Sequence, residues 1–192
     1  MFSGIIEHKA KILDKKDGRF VIENHFGNDL KIGQSIAHDG ACMTIETFDS
    51  KTYSFFAMEE SLNKTNFGEK NIGETFNVER CLQVGDRIDG HFVSGHIDTT
   101  GKVQSMKKNE DDSMILTVEY SKDFSDLVIP KGSITLNGTS LTITNRELGL
   151  VSVWLIPLTQ EITNLGDLKI GDQINIEFDM FGKYIQNFTQ KS

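Results

Sequence analysis

Cysteine, proline and basic residues are scarce in this chain of 192 residues, which has two Cys, two Pro and 20 Lys or Arg against 28 Asp or Glu. Cys42 and Cys81 alone cannot build a disulfide framework or a thiolate metal site, so a reducing intracellular compartment is expected. The net charge of −8 argues against general binding to the phosphate backbone of nucleic acids. We therefore expect neither a metal site nor a nucleic-acid partner.

Long apolar runs are also absent. No stretch approaches the ~20 apolar residues that a membrane helix needs, and Met1–His8 lacks the basic and apolar regions of a signal peptide. We therefore expect no membrane association and a cytoplasmic location. The hydrophobic fraction of 38% is that of an ordinary globular protein once glycine is added.

The chain contains two copies of one pattern. The block S-I-x-x-[DN]-G-x-[CS]-[ML]-T-I occurs at Ser35–Ile45 and again 98 residues later at Ser133–Ile143. Two further blocks repeat at the same offset, namely Thr65–Gly68 with Thr163–Gly166 and Asn77–Glu79 with Asn175–Glu177. A constant offset over so many positions indicates a duplicated unit.

Upstream of these blocks the offset falls to 91, which relates Ser3–Glu7 to Ser94–Asp98. The second copy therefore holds about seven extra residues, and we place them in the polar stretch Lys107–Asp112 as an exposed turn. A unit of about 90 residues suits a small domain. We predict two closely packed domains at residues 1–90 and 91–187.

Alternating apolar and polar residues around Asp-Gly and Asn-Gly dipeptides predict antiparallel strands. We expect these strands at residues 35–38, 41–45, 51–57, 75–79, 133–136, 139–145 and 151–156. Short helices are expected at residues 58–63, 158–163 and 182–188. Because about six strands per copy favour a small closed barrel, the predicted fold class is all-β, with two tandem six-stranded barrels and a short C-terminal helix.

Several of these segments together match one known family. Met1–Glu7 reads M-F-S-G-I-I-E, and Gly90–Thr99 fits G-H-x-x-S-G-H-x-x-T. With the twin blocks, these segments resemble riboflavin synthases from Met1 to about Lys183. The combination is specific, whereas a lone S-L-T-I would carry no information.

The resemblance implies two Greek-key barrels of the lumazine-binding type. It implies that two molecules of 6,7-dimethyl-8-ribityllumazine react, one donating a four-carbon unit to the other, to give riboflavin and a ribitylamino-pyrimidinedione. No metal or cofactor takes part in the family. The family forms homotrimers with the C-terminal helix at the centre and the active site between barrels of neighbouring subunits, and an association with lumazine synthase is also expected.

The resemblance also assigns substrate-binding residues to each copy. In the first barrel they are Gly4, Ile5, Ile6, Cys42, Met43 and Thr44, with a loop of Phe56, Ala57, Met58, Glu59, Glu60 and Ser61 around the ribityl chain. In the second barrel they are Gly95, His96, Ile97, Lys131, Ser140, Leu141 and Thr142, with a mirrored loop of Ile156, Pro157, Leu158, Thr159, Gln160 and Glu161. We thus expect each copy to supply one complete pocket.

Position 96 distinguishes the copies, because His96 stands where the first copy has Ile5. An imidazole titrates near pH 6.5 and can move protons at neutral pH, so His96 is the leading catalytic candidate. The resemblance adds Ser35, Cys42 and Asp179 to the predicted catalytic set.

Three other positions stay open to a purely structural interpretation. Cys42 has no neighbour in sequence that lowers its thiol pKa, so a buried structural thiol and a substrate contact are both retained. The same holds for Phe2, which stands at the aromatic position of the family's chain start, and for His91, the family's other histidine. Cys81 lies in no motif and is interpreted as structural.

Two residues depart from the family pattern. Asn137 replaces a common Asp, which keeps the turn but removes a charge and a general base. Leu158 replaces a common polar residue and weakens the expected ribityl contacts. The alternatives are a non-catalytic relative such as the lumazine-binding fluorescent proteins, a flavin-binding barrel of a reductase, and a purely structural protein. The intact second-copy motif argues against the first, and the twin blocks argue against the second.

Overall fold

The computed structural model describes residues 1–189 and contains two closed β-barrels. The first barrel is formed by β1 (His8–Lys16), β2 (Arg19–Glu23), β3 (Ser35–His38), β4 (Ala41–Phe48), β5 (Thr52–Phe56) and β6 (Thr75–Arg80), with helix α1 (Glu59–Lys64) between the last two. The second is formed by β7 (Thr99–Lys108), β8 (Met114–Glu119), β9 (Ser133–Leu136), β10 (Thr139–Glu147), β11 (Leu150–Leu155) and β12 (Gln173–Phe178), with α2 (Pro157–Ile162). Helix α3 (Met180–Thr189) ends the described chain, and short 3₁₀ turns occur at Asn66–Gly68, Lys122–Leu127 and Asn164–Asp167.

The two barrels share one Greek-key topology. The first closes in the order β1-β2-β5-β4-β3-β6, and the second repeats it with β7-β8-β11-β10-β9-β12. All pairings are antiparallel, and even the bulges recur. An irregularity at Ile12–Asp14 returns at Val103–Ser105, and one at Ile45–Thr47 returns at Ile143–Asn145. The duplication in the sequence is therefore a duplication of the fold.

The predicted all-β fold of two six-stranded barrels is confirmed. Strands β3 and β9 have the predicted bounds, and helices α1, α2 and α3 begin within two residues of expectation. Strands β1, β2, β7, β8 and β12 are not among the predicted segments. Bulges interrupt the alternation in β1 and β7, and β12 is represented only by the repeated block Asn175–Glu177. The strand sets end at Arg80 and begin again at Thr99, and the division at residue 90 stays a prediction.

The seven extra residues of the second copy are divided between two places. Ile12 pairs with Ile22 in the first barrel, and Val103 pairs with Val118 in the second. The offset thus rises from 91 at β1 to 96 at β2, so five residues enter the β7–β8 turn. The remaining two lie between β8 and β9, so the placement of all seven in Lys107–Asp112 was partly wrong.

The barrels meet through a buried polar interface on a pseudo-twofold axis. The backbone N–H of Asn66 donates to Oδ1 of Asn175 at 2.6 Å, and that of Asn164 donates to Oδ1 of Asn77 at 2.7 Å. All four asparagines are at most 5% exposed. Their reciprocal bonds satisfy backbone groups that would otherwise be buried without partners.

The two cores differ in chemistry although their backbones match. The first is aromatic and includes Phe20, Phe55, Phe67 and Phe76 packed ring against ring. The second is filled almost entirely by Val, Leu and Ile. None of the helices among residues 1–189 is long and apolar enough to cross a lipid bilayer.

One histidine is enclosed in the aromatic core. His38 is fully buried, with Nε2 2.8 Å from the Tyr53 hydroxyl and Nδ1 3.2 Å from the Ile36 carbonyl oxygen. Burial lowers the pKa of His38 from 6.5 to about 3. The second barrel has Leu136 and Val151 at the positions of His38 and Tyr53, so the polar pair is dispensable for the backbone.

We predict that His38 makes the protein acid-sensitive. Below pH 6.5 the unfolded chain takes up a proton that folded His38 refuses until about pH 3. Stability from this group is therefore complete above pH 6.5 and is lost as pH falls toward 3, by about 1.4 kcal/mol per pH unit. The double variant His38→Leu/Tyr53→Phe, which leaves no unpaired hydroxyl, should show a flatter pH dependence in urea unfolding between pH 7 and 4.5. An unchanged slope would contradict the assignment.

Candidate functional site

The segment before each barrel is held by a buried glutamate. Glu79 accepts hydrogen bonds from the Ser3 N–H at 2.7 Å, the Ser3 hydroxyl at 2.8 Å and the Gly4 N–H at 3.0 Å. Glu177 does the same for Ser94 and Gly95, at 2.6, 2.7 and 3.0 Å. We call residues 1–7 and 92–98 the leading segments.

Burial raises the pKa of both Glu79 and Glu177, although their hydrogen bonds oppose the shift. Each carboxylate is at most 4% exposed and accepts three hydrogen bonds that fix a Ser-Gly turn. In the sequence these glutamates are marked only by the repeated Asn-x-Glu block. Their recurrence in both copies was the signal that could have identified them as site-building residues.

Each leading segment crosses to the opposite barrel. Phe2 and Val93 pair as an antiparallel bridge, with N···O distances of 2.8 and 3.1 Å. The Gly95 carbonyl then accepts from the Cys42 N–H at 2.8 Å, and the Gly4 carbonyl accepts from the Ser140 N–H at 2.8 Å. The two segments are thus exchanged between the copies.

Glycine is required at both crossings. Gly4 and Gly95 have φ of +79° and +84°, a region that L side chains rarely adopt. A Cβ at Gly4 would lie 2.6 Å from the Ser140 Cβ, and one at Gly95 would lie 2.7 Å from the Cys42 Cβ. The backbone of each glycine therefore lies directly against the strand that follows the Asp-Gly or Asn-Gly turn of the opposite copy.

The crossing changes which residues share a site. We define the Gly95 site as Gly95–Ile97 with Cys42–Thr44, and the Gly4 site as Gly4–Ile6 with Ser140–Thr142. The expectation that each copy supplies one complete pocket was wrong, because each site takes its leading segment from one copy and its strand from the other. Hydrogen bonds between residues more than 50 apart decide the pairing, and local sequence pattern carries no trace of them.

The Gly95 site collects three of the four predicted catalytic residues. Cys42 and Thr44 point outward from β4, and Ser35 lies opposite Thr44 in the ladder. The exposed His96 follows Gly95 directly, and Ile97 packs against the first barrel's core. The site therefore offers a thiol and hydroxyls on strands β3 and β4, and an exposed imidazole on the residue after Gly95.

Cys81 borders this face but is not suited to nucleophilic chemistry. Burial raises the pKa of its thiol, and the Ser35 hydroxyl bonds to it. A protonated thiol is a poor nucleophile, which agrees with the structural interpretation of Cys81. Phe2 is fully buried beside Val93 and Ala37, so its side chain is part of the core that supports the site.

The Gly4 site is built around His91. Its Nδ1 lies 2.7 Å from the Ser140 hydroxyl and its Nε2 lies 3.2 Å from the Thr135 hydroxyl. Burial lowers the pKa of His91, although nearby Asp179 opposes the shift, so the imidazole is neutral at pH 7. Asp179 also accepts from the Phe181 N–H at 3.0 Å and so begins helix α3. Asp179 is thus separated from the other predicted catalytic residues.

Two predicted contact residues are directed into the cores. Met43 and Leu141 are 9% exposed and pack within the first and second barrel. Alternation along a strand forces this arrangement, because Cys42, Thr44, Ser140 and Thr142 point outward. Only the backbone of Met43 and Leu141 can contribute to a site.

The two loops leave their barrels beside these strands. Ile45 lies opposite Phe55, and Ile143 lies opposite Val153, so the chain after β5 passes Cys42–Thr44 and the chain after β11 passes Ser140–Thr142. The predicted residues there are mostly exposed or half-exposed, namely Phe56, Met58, Glu59, Glu60 and Ser61, and Ile156, Pro157, Leu158, Thr159, Gln160 and Glu161, whereas Ala57 is buried.

The predicted match between these two loops, which paired Phe56 with Ile156, was shifted by two residues. Helix α1 begins at Glu59 and α2 at Pro157, so the offset stays at 98. The counterpart of Phe56 is therefore Trp154, the chain's single tryptophan, rather than Ile156. Phe56 is 47% exposed and Trp154 51%, so each barrel has one large exposed aromatic near the end of the strand that precedes its loop. The constant offset could have identified Trp154 from sequence.

Lys131 stands in a strained conformation at the rim of the second barrel. Its φ is +64°, and its N–H donates to the Ile143 carbonyl at 2.9 Å. The first copy has Gly33 at the equivalent position, with φ of +83°. A positive φ costs a lysine on the order of 1–3 kcal/mol. The functional role of its exposed ammonium group stays a prediction.

Comparison with known proteins identifies the family to which this architecture belongs. The lumazine binding domain model matches residues 3–81 and again residues 94–179. A riboflavin synthase from Actinobacillus pleuropneumoniae is 37% identical over 196 aligned residues, which cover 100% of this chain and 91% of the relative. The chain belongs to the riboflavin synthase family. A riboflavin synthase from Escherichia coli strain K12 is 36% identical over 185 residues, covering 93% of this chain and 87% of that protein.

Solved structures agree with this assignment at the level of the fold. LumP complexed with riboflavin superposes with a TM-score of 0.85 at 22% identity and covers 93% of this chain and 99% of LumP. LumP complexed with 6,7-dimethyl-8-(1'-D-ribityl) lumazine gives a TM-score of 0.82. The riboflavin synthase family thus shares its double barrel with proteins that have diverged widely in sequence.

We predict that Lys131→Gly will separate activity from stability. The substitution reproduces Gly33 of the other copy and removes backbone strain, so the melting temperature should stay constant or rise. Turnover of the family substrate should fall at least tenfold, because the ammonium group is lost. Glycine at Lys102 would itself destabilise a strand, so it is not used as the control. The control is Lys108→Ala, which removes an exposed lysine. Unchanged turnover in Lys131→Gly would show that the lysine has no functional role.

Proposed function

We propose that this protein converts two molecules of 6,7-dimethyl-8-ribityllumazine into riboflavin and 5-amino-6-ribitylamino-pyrimidinedione by transferring a four-carbon unit. This is the last step of riboflavin synthesis. The observation that carries the proposal is the pair of crossed sites, which have the same backbone frame and different side chains. A reaction between two copies of one molecule needs two similar sites that treat their ligands differently.

Each site is suited to a flat ring with a polyol chain. Gly4 and Gly95 are themselves buried against the opposite strands, whereas Ile5 and His96, which follow them, are exposed and border each site. Phe56 and Trp154 add exposed aromatic surface on the strands that lead into the two loops. The polar loop residues, such as Glu60 and Thr159, offer partners for ribityl hydroxyls. Holding two substrates in a productive orientation removes much of the entropic barrier, on the order of 7–11 kcal/mol in favourable cases.

The side chains of the two sites are suited to proton transfer rather than to covalent catalysis. A lumazine carries an acidic methyl group, so the protein has to orient the rings, polarise them and move protons. In the Gly95 site the exposed His96 directly follows Gly95, whose carbonyl group accepts from the Cys42 N–H. In the Gly4 site the neutral His91 bonds to Ser140. The Lys131 ammonium group supplies positive charge for a ring carbonyl.

A homotrimer would bring the sites of different chains together. Helix α3 is fixed to the second barrel by the Lys183–Asp98 ion pair at 2.6 Å. Its Phe181, Tyr184 and Ile185 are 58, 60 and 64% exposed, an apolar face that suits contact with other copies. We propose that this face packs at the trimer centre. Association with lumazine synthase and a cytoplasmic location stay predictions.

Activity can be tested with the substrate alone. Purified protein incubated with 6,7-dimethyl-8-ribityllumazine in buffer should form riboflavin, followed by its absorbance and fluorescence. His96→Ile, which copies Ile5 of the other site, should lower kcat by about 10²–10⁴-fold, with a much smaller effect on KM. His25→Ile serves as the control, because His25 lies on the outer surface beside Glu23. Absence of riboflavin with the unmodified protein would overturn the proposed function.

Mixing two variants tests whether active centres lie between chains. Because Cys42 and His96 share one site, Cys42→Ala/His96→Ala damages only the Gly95 site. Lys131→Gly/Ser140→Ala damages only the Gly4 site. If the Gly4 site of one chain faces the Gly95 site of a neighbour, co-refolded mixtures contain some intact centres and regain measurable activity. If each centre lies within one chain, mixtures confirmed by native mass spectrometry will stay as inactive as the separate variants.

A further inference from the structure

The polar interface between the barrels carries a carboxylate from one copy only. It contains the same three positions of each copy, and these are Asp39, Asn66 and Asn77 with Asn137, Asn164 and Asn175. Five of the six are asparagine, and all are at most 5% exposed. The single carboxylate, Asp39, breaks the symmetry of the pseudo-twofold axis.

Asp39 is fully supplied with donors. Its Oδ1 accepts from the Asn77 N–H and from the Asn164 amide, each at 2.8 Å. Its Oδ2 accepts from the Asn66 amide at 2.9 Å and is 3.0 Å from the Lys70 ammonium group. A buried carboxylate with four donors, one of them cationic, has its desolvation compensated.

The second copy lacks both charges. Asn137 stands in place of Asp39, and Leu168, which packs against the second barrel's core, stands in place of Lys70. Asn137 and Leu168 are thus both uncharged, where the first copy has an acid and a base. Acid and base are present together in one copy and absent together from the other.

A second carboxylate cannot be accommodated beside the first. Asn164 turns its amide nitrogen to Asp39, so its oxygen faces Asn137 and needs a donor, which the Asn137 amide supplies at 3.2 Å. An Asp at position 137 would place a carboxylate oxygen against the Asn164 amide oxygen. It would also have to share the Asn66 amide nitrogen with Asp39. That nitrogen now lies 3.3 Å from the Asn137 oxygen and 2.9 Å from the Asp39 carboxylate. The result would be an unpaired buried charge.

The same groups determine where the two sites lie. The Asp39-Gly40 and Asn137-Gly138 turns meet on the axis, where a Cβ on Gly138 would be 2.6 Å from the Gly40 nitrogen. The strands that leave these turns reach Cys42 and Ser140 within three residues, and their N–H groups bind the crossed leading segments. A shift of either turn therefore moves both sites.

We propose that the Asp39–Lys70 ion pair is the positioning unit that aligns the two sites, and that the interface requires one such pair, in either copy. Asp39 acts through the two asparagine amides that it orients and has no contact with substrate. The activity readout of this inference rests on the proposed function, whereas its stability readout does not.

Three variants test the inference. The neutral variant Asp39→Asn/Lys70→Leu removes the pair. The doubled variant Asn137→Asp/Leu168→Lys adds a second pair. The transferred variant combines all four substitutions and moves the pair to the other copy. Lys108→Leu is the control, since it removes the lysine of an exposed pair with Asp112 at 2.7 Å. Each protein is measured for kcat, for binding of a single ribityllumazine by fluorescence titration, and for melting temperature.

We expect the transferred variant to retain kcat within about threefold, and the neutral variant to lose at least tenfold in kcat while its affinity for one lumazine changes less than threefold. A merely structural pair would alter melting temperature without this split between kcat and affinity. Full kcat in the neutral variant, or a folded but inactive transferred variant, would overturn the proposal. If the transferred variant does not fold, the neutral variant alone decides. Should the unmodified protein form no riboflavin, melting temperatures still test the inference, because the doubled variant should melt below the unmodified protein and the transferred variant should not.

Discussion

The structure depends on the exchange of two short backbone segments between its barrels. The carbonyl groups of Gly4 and Gly95 each accept a hydrogen bond from a strand of the opposite copy. Because the exchange uses backbone groups, it is preserved while the side chains of the two copies diverge. Buried Glu79 and Glu177 hold the exchanged segments in place and fix their register. Neither barrel can form a site without the other.

This arrangement explains how a duplicated domain acquires unequal halves. The backbone frame, the bulges and the glutamate anchors are the same in both copies, whereas chemistry is confined to positions that face outward. Ile5 has become His96, Cys42 has become Ser140, and Gly33 has become Lys131. Even the cores differ, since His38 and its aromatic neighbours are replaced by aliphatic residues without a change in strand order. The shared backbone frame and the differing side chains thus belong to different positions of the two copies.

Much of the fold could be predicted from the sequence. The Asp39-Gly40 and Asn137-Gly138 turns gave the hairpins, and the constant offset gave the number of domains. Strands such as β1 and β7 were harder to recognise, because a bulge interrupts the alternation in each. The offset would also have identified Trp154 as the counterpart of Phe56, had it been applied to the loops as strictly as to the strands.

The sequence by itself determined the duplication, the all-β fold, the family and most of the residues that surround the sites, because these follow from local periodicity and from motifs that recur at a fixed spacing. Only the tertiary structure decided which residues share a site. Gly4 meets Ser140 and Gly95 meets Cys42 through single backbone hydrogen bonds. The crossings require glycine, but a glycine carbonyl group can accept from the N–H of any strand, so the sequence does not show which copy supplies the donor. The pairing became visible only once the two barrels were packed together.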